Sequence, residues 1–189
     1  TMENNYALDL ELPITHPLKN LDCIHRDGTE PDIFFISHDD VSDEYMQWID
    51  EQGLVMTYPP LIFYTPASHQ IGIHIDGPGE IMDRVCMNWQ VQGAGSLMHW
   101  YDIKEGHGPF EETETQAGTP YAQYHPKDLD HAFSHATKFP SMVQTGIPHN
   151  IHNSKWEPRW TISCDLSFKA TPEGGLKMDQ AKEIFNKWF

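Results

Sequence analysis

Gln70-Ile71-Gly72-Ile73-His74-Ile75-Asp76-Gly77-Pro78-Gly79 combines an apolar run, a histidine and a carboxylate two residues apart, and a glycine-proline turn. The apolar run predicts a strand over Gln70–Ile75 that ends at Gly77-Pro78-Gly79. Working outward, short strand candidates follow at close spacing: Leu61–Thr65, Arg84–Val91, Ser96–Ile103, Met142–Gln144, Asn150–Ser154 and Trp160–Phe168. Gly and Pro punctuate most of the gaps, and this rhythm suits a β-sandwich or barrel.

Three segments flank or interrupt the series. Ahead of it, Ile33–Ser37 is a short β-rich run, and Ser42 caps a predicted helix whose Tyr45, Trp48 and Ile49 share one face before Gly53 stops it. Within it, Lys104 to Lys138 is polar, rich in Gly, Pro, Glu and His, and too long for an ordinary connection, so it reads as an active-site lid or a partly helical excursion. After it, Met178, Ala181, Ile184, Phe185 and Trp188 recur at helical spacing, predicting a terminal helix over about 177–188 that packs on the outside of a sheet. Pro172 and Gly174-Gly175 mark its entry. Residues 1–189 therefore read as one mainly β domain, with a lead-in over 1–60, core strands over about 61–168 and flanking helices.

Composition excludes several classes of function. The chain carries 28 Asp and Glu against 12 Lys and Arg, a net charge of -16, and residues 1–60 hold 13 carboxylates with only Lys19 and Arg26 as cations. The phosphate neutralisation that drives nucleic-acid affinity has no source here, and anionic membrane surfaces are disfavoured for the same reason. A hydrophobic fraction of 39% suffices for a core, while a mean hydropathy of -0.55 without a long apolar run argues against membrane spans. Cys23, Cys86 and Cys164 are odd in number and include no C-x-x-C pair, so neither a disulfide framework nor a thiolate zinc site is expected. The first residues lack a secretory signal, Thr1 before Met2 reads as a tag scar, and a cytoplasmic address is expected. Twelve histidines in a thiol-poor chain point to metals bound through imidazole and carboxylate.

The chemistry centres on His74 and Asp76. Residues i and i+2 of a strand face the same side, so both can reach one metal ion. With 12 His and 15 Asp, chance yields about one H-x-D in this chain, and there are three: His25/Asp27, His38/Asp40 and His74/Asp76. Only the third ends an apolar strand; the other two lie in acidic, loop-like sequence and read as surface. A third ligand has two candidates, His149 and His152, in Gln144-Thr145-Gly146-Ile147-Pro148-His149-Asn150-Ile151-His152-Asn153. Two histidines and a carboxylate on one face of an iron(II) leave positions open for a chelating co-substrate and dioxygen. Arg159, ten residues after His149, is the candidate anchor for the far carboxylate of such a co-substrate, and Thr161 points the same way along the strand. The same spacing recurs at His16/Arg26 and His74/Arg84, but Arg159 alone starts a strand downstream of both a viable H-x-D and a second histidine; Arg84 reads as a strand-edge surface residue.

These residues resemble the 2-oxoglutarate- and iron(II)-dependent oxygenases, with the pattern H-x-D followed by H-x(9)-R, over roughly Leu61 to Phe168. The run from His149 through Asn153 to Arg159 is similar to the aspartyl/asparaginyl β-hydroxylases, and Tyr64, ten residues before His74, stands where prolyl-hydroxylase-like members carry a tyrosine. The resemblance implies a double-stranded β-helix of jelly-roll, cupin-like type. It implies that His74, Asp76 and His149 hold iron(II), that 2-oxoglutarate chelates the metal and extends its C5 carboxylate to Arg159, and that Thr161 and Tyr64 add hydrogen bonds there. The implied outcome is hydroxylation of a small molecule or a peptide or protein side chain by dioxygen, with release of succinate and carbon dioxide.

Asn88, inside Arg84–Val91, is a further candidate contact to the co-substrate. Met98, Trp100 and Tyr101 read as core or cavity wall. His131 and His135, four apart, would suit zinc on a helix, but no third ligand is evident. As the lid over a metal site, Lys104–Lys138 would place Glu111, Glu112 and Glu114 at the mouth, which disfavours anionic substrates. Two other readings use the same residues: a cupin-type metalloenzyme that needs the triad but not Arg159, and a metal-stabilised β-sandwich binding module without catalysis.

Overall fold

The computed structural model describes residues 4–24, 28–138 and 140–189. Its strands are β1 (Ala7–Asp9), β2 (Asp32–Phe35), β3 (Leu54–Met56), β4 (Leu61–Thr65), β5 (His69–Gln70), β6 (His74–Asp76), β7 (Val85–Gln92), β8 (Ser96–Ile103), β9 (Glu111–Glu114), β10 (Pro120–Gln123), β11 (Leu129–Thr137), β12 (Ser141–Gln144), β13 (His149–Asn153), β14 (Arg159–Cys164) and β15 (Leu166–Phe168). The helices α1 (Asp43–Glu51) and α2 (Met178–Ile184) flank them. One antiparallel sheet has the order β1-β12-β7-β14-β4-β2; the other runs β11-β8-β13-β6-β10-β9, with β5 also on β13. The two sheets face each other across a shared cavity, and the architecture is a double-stranded β-helix of jelly-roll, cupin-like type with flanking helices.

Strand β14 shows how the sequence builds the two sides. In Arg159-Trp160-Thr161-Ile162-Ser163-Cys164 the apolar residues alternate with polar ones, so Trp160, Ile162 and Cys164 face one way and Arg159, Thr161 and Ser163 the other. The apolar side, joined by Ile62, Met87 and Trp89, forms the main core. Tyr45, Trp48 and Ile49 of α1 cover it together with Met178, Ala181 and Phe185 at the C-terminal end. Trp48 stacks on Phe185 at 5.8 Å, and Tyr45 meets Trp89 edge-on at 5.5 Å. The helix start predicted at Ser42 is present, its Oγ accepting the Tyr45 amide at 3.1 Å. The polar side of β14 faces the other sheet and becomes the floor of the cavity.

Several expectations are corrected. Lys104–Lys138 is neither a helical excursion nor a separate lid: it supplies β9, β10 and β11, which extend the second sheet. These strands were hidden because two lie toward the sheet edge with polar outward faces, and a bulge between His131 and Phe133 breaks the alternation of β11. His131 and His135 therefore lie on a strand, where His131 Nε2 meets Ser134 Oγ at 2.7 Å and His135 Nε2 meets Asp9 Oδ1 at 2.9 Å; they do not form a helical zinc pair. The strand expected over Gln70–Ile75 is split into β5 and β6, and Trp160–Phe168 into β14 and β15, the latter pairing with β3 in a separate two-stranded sheet.

Arg84 is not a free surface residue: its Nη2 pairs with Asp165 Oδ2 at 2.7 Å. His38 and Asp40 lie in an exposed single-turn 3₁₀ segment, in keeping with a surface role. His25, Arg26 and Asp27 fall outside the described residues. No helix among the described residues is long and apolar enough to cross a membrane.

Candidate metal centre and cavity

Strand register brings the three proposed ligands together. His74 and Asp76 occupy alternate positions of β6, and His149 is the cross-strand partner of His74 on β13, so all three side chains leave the sheet on the cavity side. Their ligand atoms lie within 4.8 Å of one another. His74 Nε2 is 3.5 Å from Asp76 Oδ1, His149 Nε2 is 3.9 Å from Asp76 Oδ2, and the two imidazole centroids are 4.6 Å apart. Asp76 is further fixed by its own amide, which donates to Thr145 O at 3.1 Å.

Each imidazole is oriented by main chain. His74 Nδ1 lies 2.8 Å from Gly72 O, and His149 Nδ1 lies 2.8 Å from Ile147 O. A carbonyl can only accept, so Nδ1 carries the proton in both rings and Nε2 presents its lone pair to the centre. Burial, and then the neighbouring His74, pull His149 down to about 4, which keeps it neutral and in its ligating form near neutral pH. For His74, burial acts downward, but the hydrogen bond to Asp76, the charge of Asp76 and the Gly72 carbonyl outweigh it and the net shift is upward. Asp76 is pushed up by burial yet ends below the usual carboxylate range, because His74 hydrogen-bonds to it and His149, His74 and Arg84 add favourable charge. Two imidazole nitrogens and one carboxylate form a donor set that fits a borderline divalent ion such as iron(II), and each His has an orienting hydrogen-bond partner, as metal-binding imidazoles do.

Across the cavity lies an unusual cation. Arg159 is 2% exposed, its Nε is buried without a partner, and burial lowers its pKa to about 9. It makes no ion pair among the described residues, although its side chain and the triad border the same cavity of about 590 Å³. A buried guanidinium without a counter-ion is costly, and a carboxylate bound through two parallel hydrogen bonds removes the cost. Thr161 shares this wall and donates to Gln90 Oε1 at 2.9 Å. Asn88 also borders it, with Oδ1 buried and unpartnered.

Tyr64 borders the same cavity, but its ring and hydroxyl have partners of their own. It stands opposite Trp160 in the β4–β14 register, packs against that indole at 4.5 Å and belongs to the main core, on the face opposite Arg159. Its hydroxyl donates to Gly28 O at 2.7 Å. His152 is partnered with Leu97 and Gln70 rather than with His74, and it is not part of the triad. Met98 lines the cavity, and Trp100 is buried with its Nε1 donating to Gln144 O at 2.8 Å.

Sequence reasoning missed Thr145 and Ser163 on the floor, and Tyr121 and Gln123 at the rim. The alternation Tyr121-Ala122-Gln123-Tyr124, with Ala122 and Tyr124 buried, was the signal that could have revealed β10 and its cavity-facing residues.

Gly93 holds the Arg159 end of the wall in place. It has φ +74°, and a Cβ there would stand 2.7 Å from Arg159 Cα. Gly93→Ala is expected to cost about 1–3 kcal/mol of stability through the left-handed backbone alone. Displacement of β14 adds to this, and the variant should lower the thermal midpoint and weaken dicarboxylate binding together. Calorimetric melting with and without 2-oxoglutarate checks this, and an unchanged midpoint would count against so close an approach.

The chain matches no protein-family model and no curated protein. Among solved structures, the crystal structure of vicilin from Corylus avellana (hazelnut) is similar over 73% of this chain and 29% of that chain, at 8% identity and a TM-score of 0.38. The chain thus spans less than a third of that vicilin chain's length.

Proposed function

We propose that this chain is an iron(II)- and 2-oxoglutarate-dependent oxygenase that hydroxylates an amino-acid side chain or small molecule, releasing succinate and carbon dioxide. The observation that carries the reading is the pairing, in one cavity, of a His74–Asp76–His149 donor set with Arg159, a buried cation that lacks a counter-ion among the described residues. A metal site alone would not call for that cation. A co-substrate with one end on the metal and a carboxylate at the other accounts for both.

In this reading His74, Asp76 and His149 hold the metal, and Arg159 binds the far carboxylate, with Thr161 and Asn88 on the same cavity lining. The apolar walls at Phe63, Met98 and Ile151 exclude water and strengthen the charge interactions inside. Bound iron(II) supplies the activation of dioxygen; the protein supplies position, dryness and a fixed orientation of the reactants.

Anaerobic titration of the metal-free protein with iron(II) and then 2-oxoglutarate is expected to give a visible metal-to-ligand charge-transfer band that bleaches on admission of air. Iron binding without a band would favour a cupin-type metalloenzyme that does not use 2-oxoglutarate. Absence of iron binding would favour a non-catalytic β-sandwich binding module.

A further inference from the structure

Charges in the cavity bear on its substrate. If Asp76 serves the metal and Arg159 the co-substrate, the remaining carboxylates of the lining are Asp32 and Glu114, and no Lys or Arg other than Arg159 lines it among the described residues. Asp32 begins β2 in one sheet and Glu114 ends β9 in the other, so negative charge borders the cavity from both layers. Asp32 already serves its own strand, its Oδ1 accepting the Ile33 amide at 2.9 Å. Glu114 is exposed, and its carboxylate makes no hydrogen bond or ion pair among the described residues. Arg159, almost fully buried in the same cavity with its Nε unpartnered among the described residues, marks this as a ligand-binding space and not merely an acidic patch. A net charge of -16 adds a long-range field that gathers cations and repels anions.

Resting on the oxygenase reading, we propose that the substrate is a small molecule with a terminal guanidinium group, which Glu114 holds at the mouth. A cavity of about 590 Å³ has room for a five-carbon dicarboxylate and an amino-acid-sized partner. Glu114 sits on the rim, so it sets which substrate enters and in what orientation without touching the metal. The positive group meets Glu114 and the body of the molecule extends inward toward the triad.

L-arginine and L-citrulline test this cleanly, because they differ only in a guanidinium against a neutral ureido group. Both are titrated calorimetrically into the anaerobic protein loaded with iron(II) and 2-oxoglutarate. Arginine is expected to bind about threefold to tenfold more tightly, as one partly shielded ion pair allows, with the difference shrinking at high salt. Glu114→Gln should level the two ligands, whereas Glu44→Gln, on α1 and outside the cavity lining, should not. Equal affinity of the two ligands for the wild type, no binding of arginine, or a preference that survives Glu114→Gln would each overturn the proposal. The two readings fail separately. A missing charge-transfer band with a retained, Glu114-dependent arginine preference in the 2-oxoglutarate-free protein defeats the oxygenase reading alone. A normal band without that preference defeats only the substrate class.

Discussion

Asp76→Ala is expected to lower iron(II) affinity by at least roughly a hundredfold and to abolish the charge-transfer band with 2-oxoglutarate. Loss of groups that merely orient metal ligands already costs about tenfold to a hundredfold, and a ligand itself should cost more. Among the described residues Asp76 is also the one negative group within ion-pair distance of the two imidazoles, so without it a divalent ion would meet two neutral nitrogens and no compensating charge. Among the described residues its side chain pairs with His74 and His149, so the variant should fold, and a near-normal melting curve in the absence of metal separates loss of the site from loss of the protein. His152→Ala, which alters the neighbouring strand position but not the triad, should leave iron binding intact. Wild-type iron affinity in Asp76→Ala would remove the carboxylate from the site.

The second large effect runs in two directions at once. Arg159→Met should eliminate the 2-oxoglutarate-dependent band and yet raise the melting temperature of the ligand-free protein. Replacing a buried ionic group by an apolar side chain of similar path stabilises by about 1–4 kcal/mol in favourable cases. For a chain of this length each kcal/mol is worth about 2–4 °C. The pH dependence gives a further signature. Arg159 has its pKa lowered by burial to about 9, below the ordinary 12.5, so the folded state bears the full cost of the charge at all pH values below about 9. A guanidinium keeps its proton in proteins, so the stability advantage of Arg159→Met should be constant through neutral pH. Saturating 2-oxoglutarate should stabilise the wild type but not the variant. A variant that melts lower than the wild type and still gives the band would refute both halves.

Much of this was legible because local chemistry and global fold agree. Ser42 before Tyr45, Trp48 and Ile49 marks a helix through its cap and its apolar face, and both features are present. Leu61–Thr65 and Ser96–Ile103 have the bounds that their β-rich composition predicted. His74 and Asp76 stood out because a strand period of two puts both on one face, a constraint that needs no tertiary information. What the sequence hid depends on neighbours. β9 and β10 carry polar residues that look loop-like until the adjoining strand supplies their hydrogen bonds. β1 and β3 are three residues long and exist only through pairing with β12 and β15. Tyr64 had the right offset in sequence, but alternation along β4 turned it toward Trp160 and the helices. Arg84 looked like surface because nothing in its surroundings announces Asp165, which lies 81 residues away and also accepts from Cys86 Sγ at 2.6 Å.

The carbonyls of Gly72 and Ile147 that fix the two imidazoles have a bearing on how the centre tolerates variation. In many metal sites the orienting partner of a histidine is a carboxylate or amide side chain, and one codon change can delete it. Here both partners belong to the peptide backbone, which every residue at those positions would supply. The break between β5 and β6 leaves the Gly72 carbonyl available to the imidazole two residues on. Side chains at 72 and 147 can therefore drift under other selective pressures while the tautomers stay set, and inherited damage to the proposed centre should concentrate in its three candidate ligands and Arg159 rather than in a supporting shell.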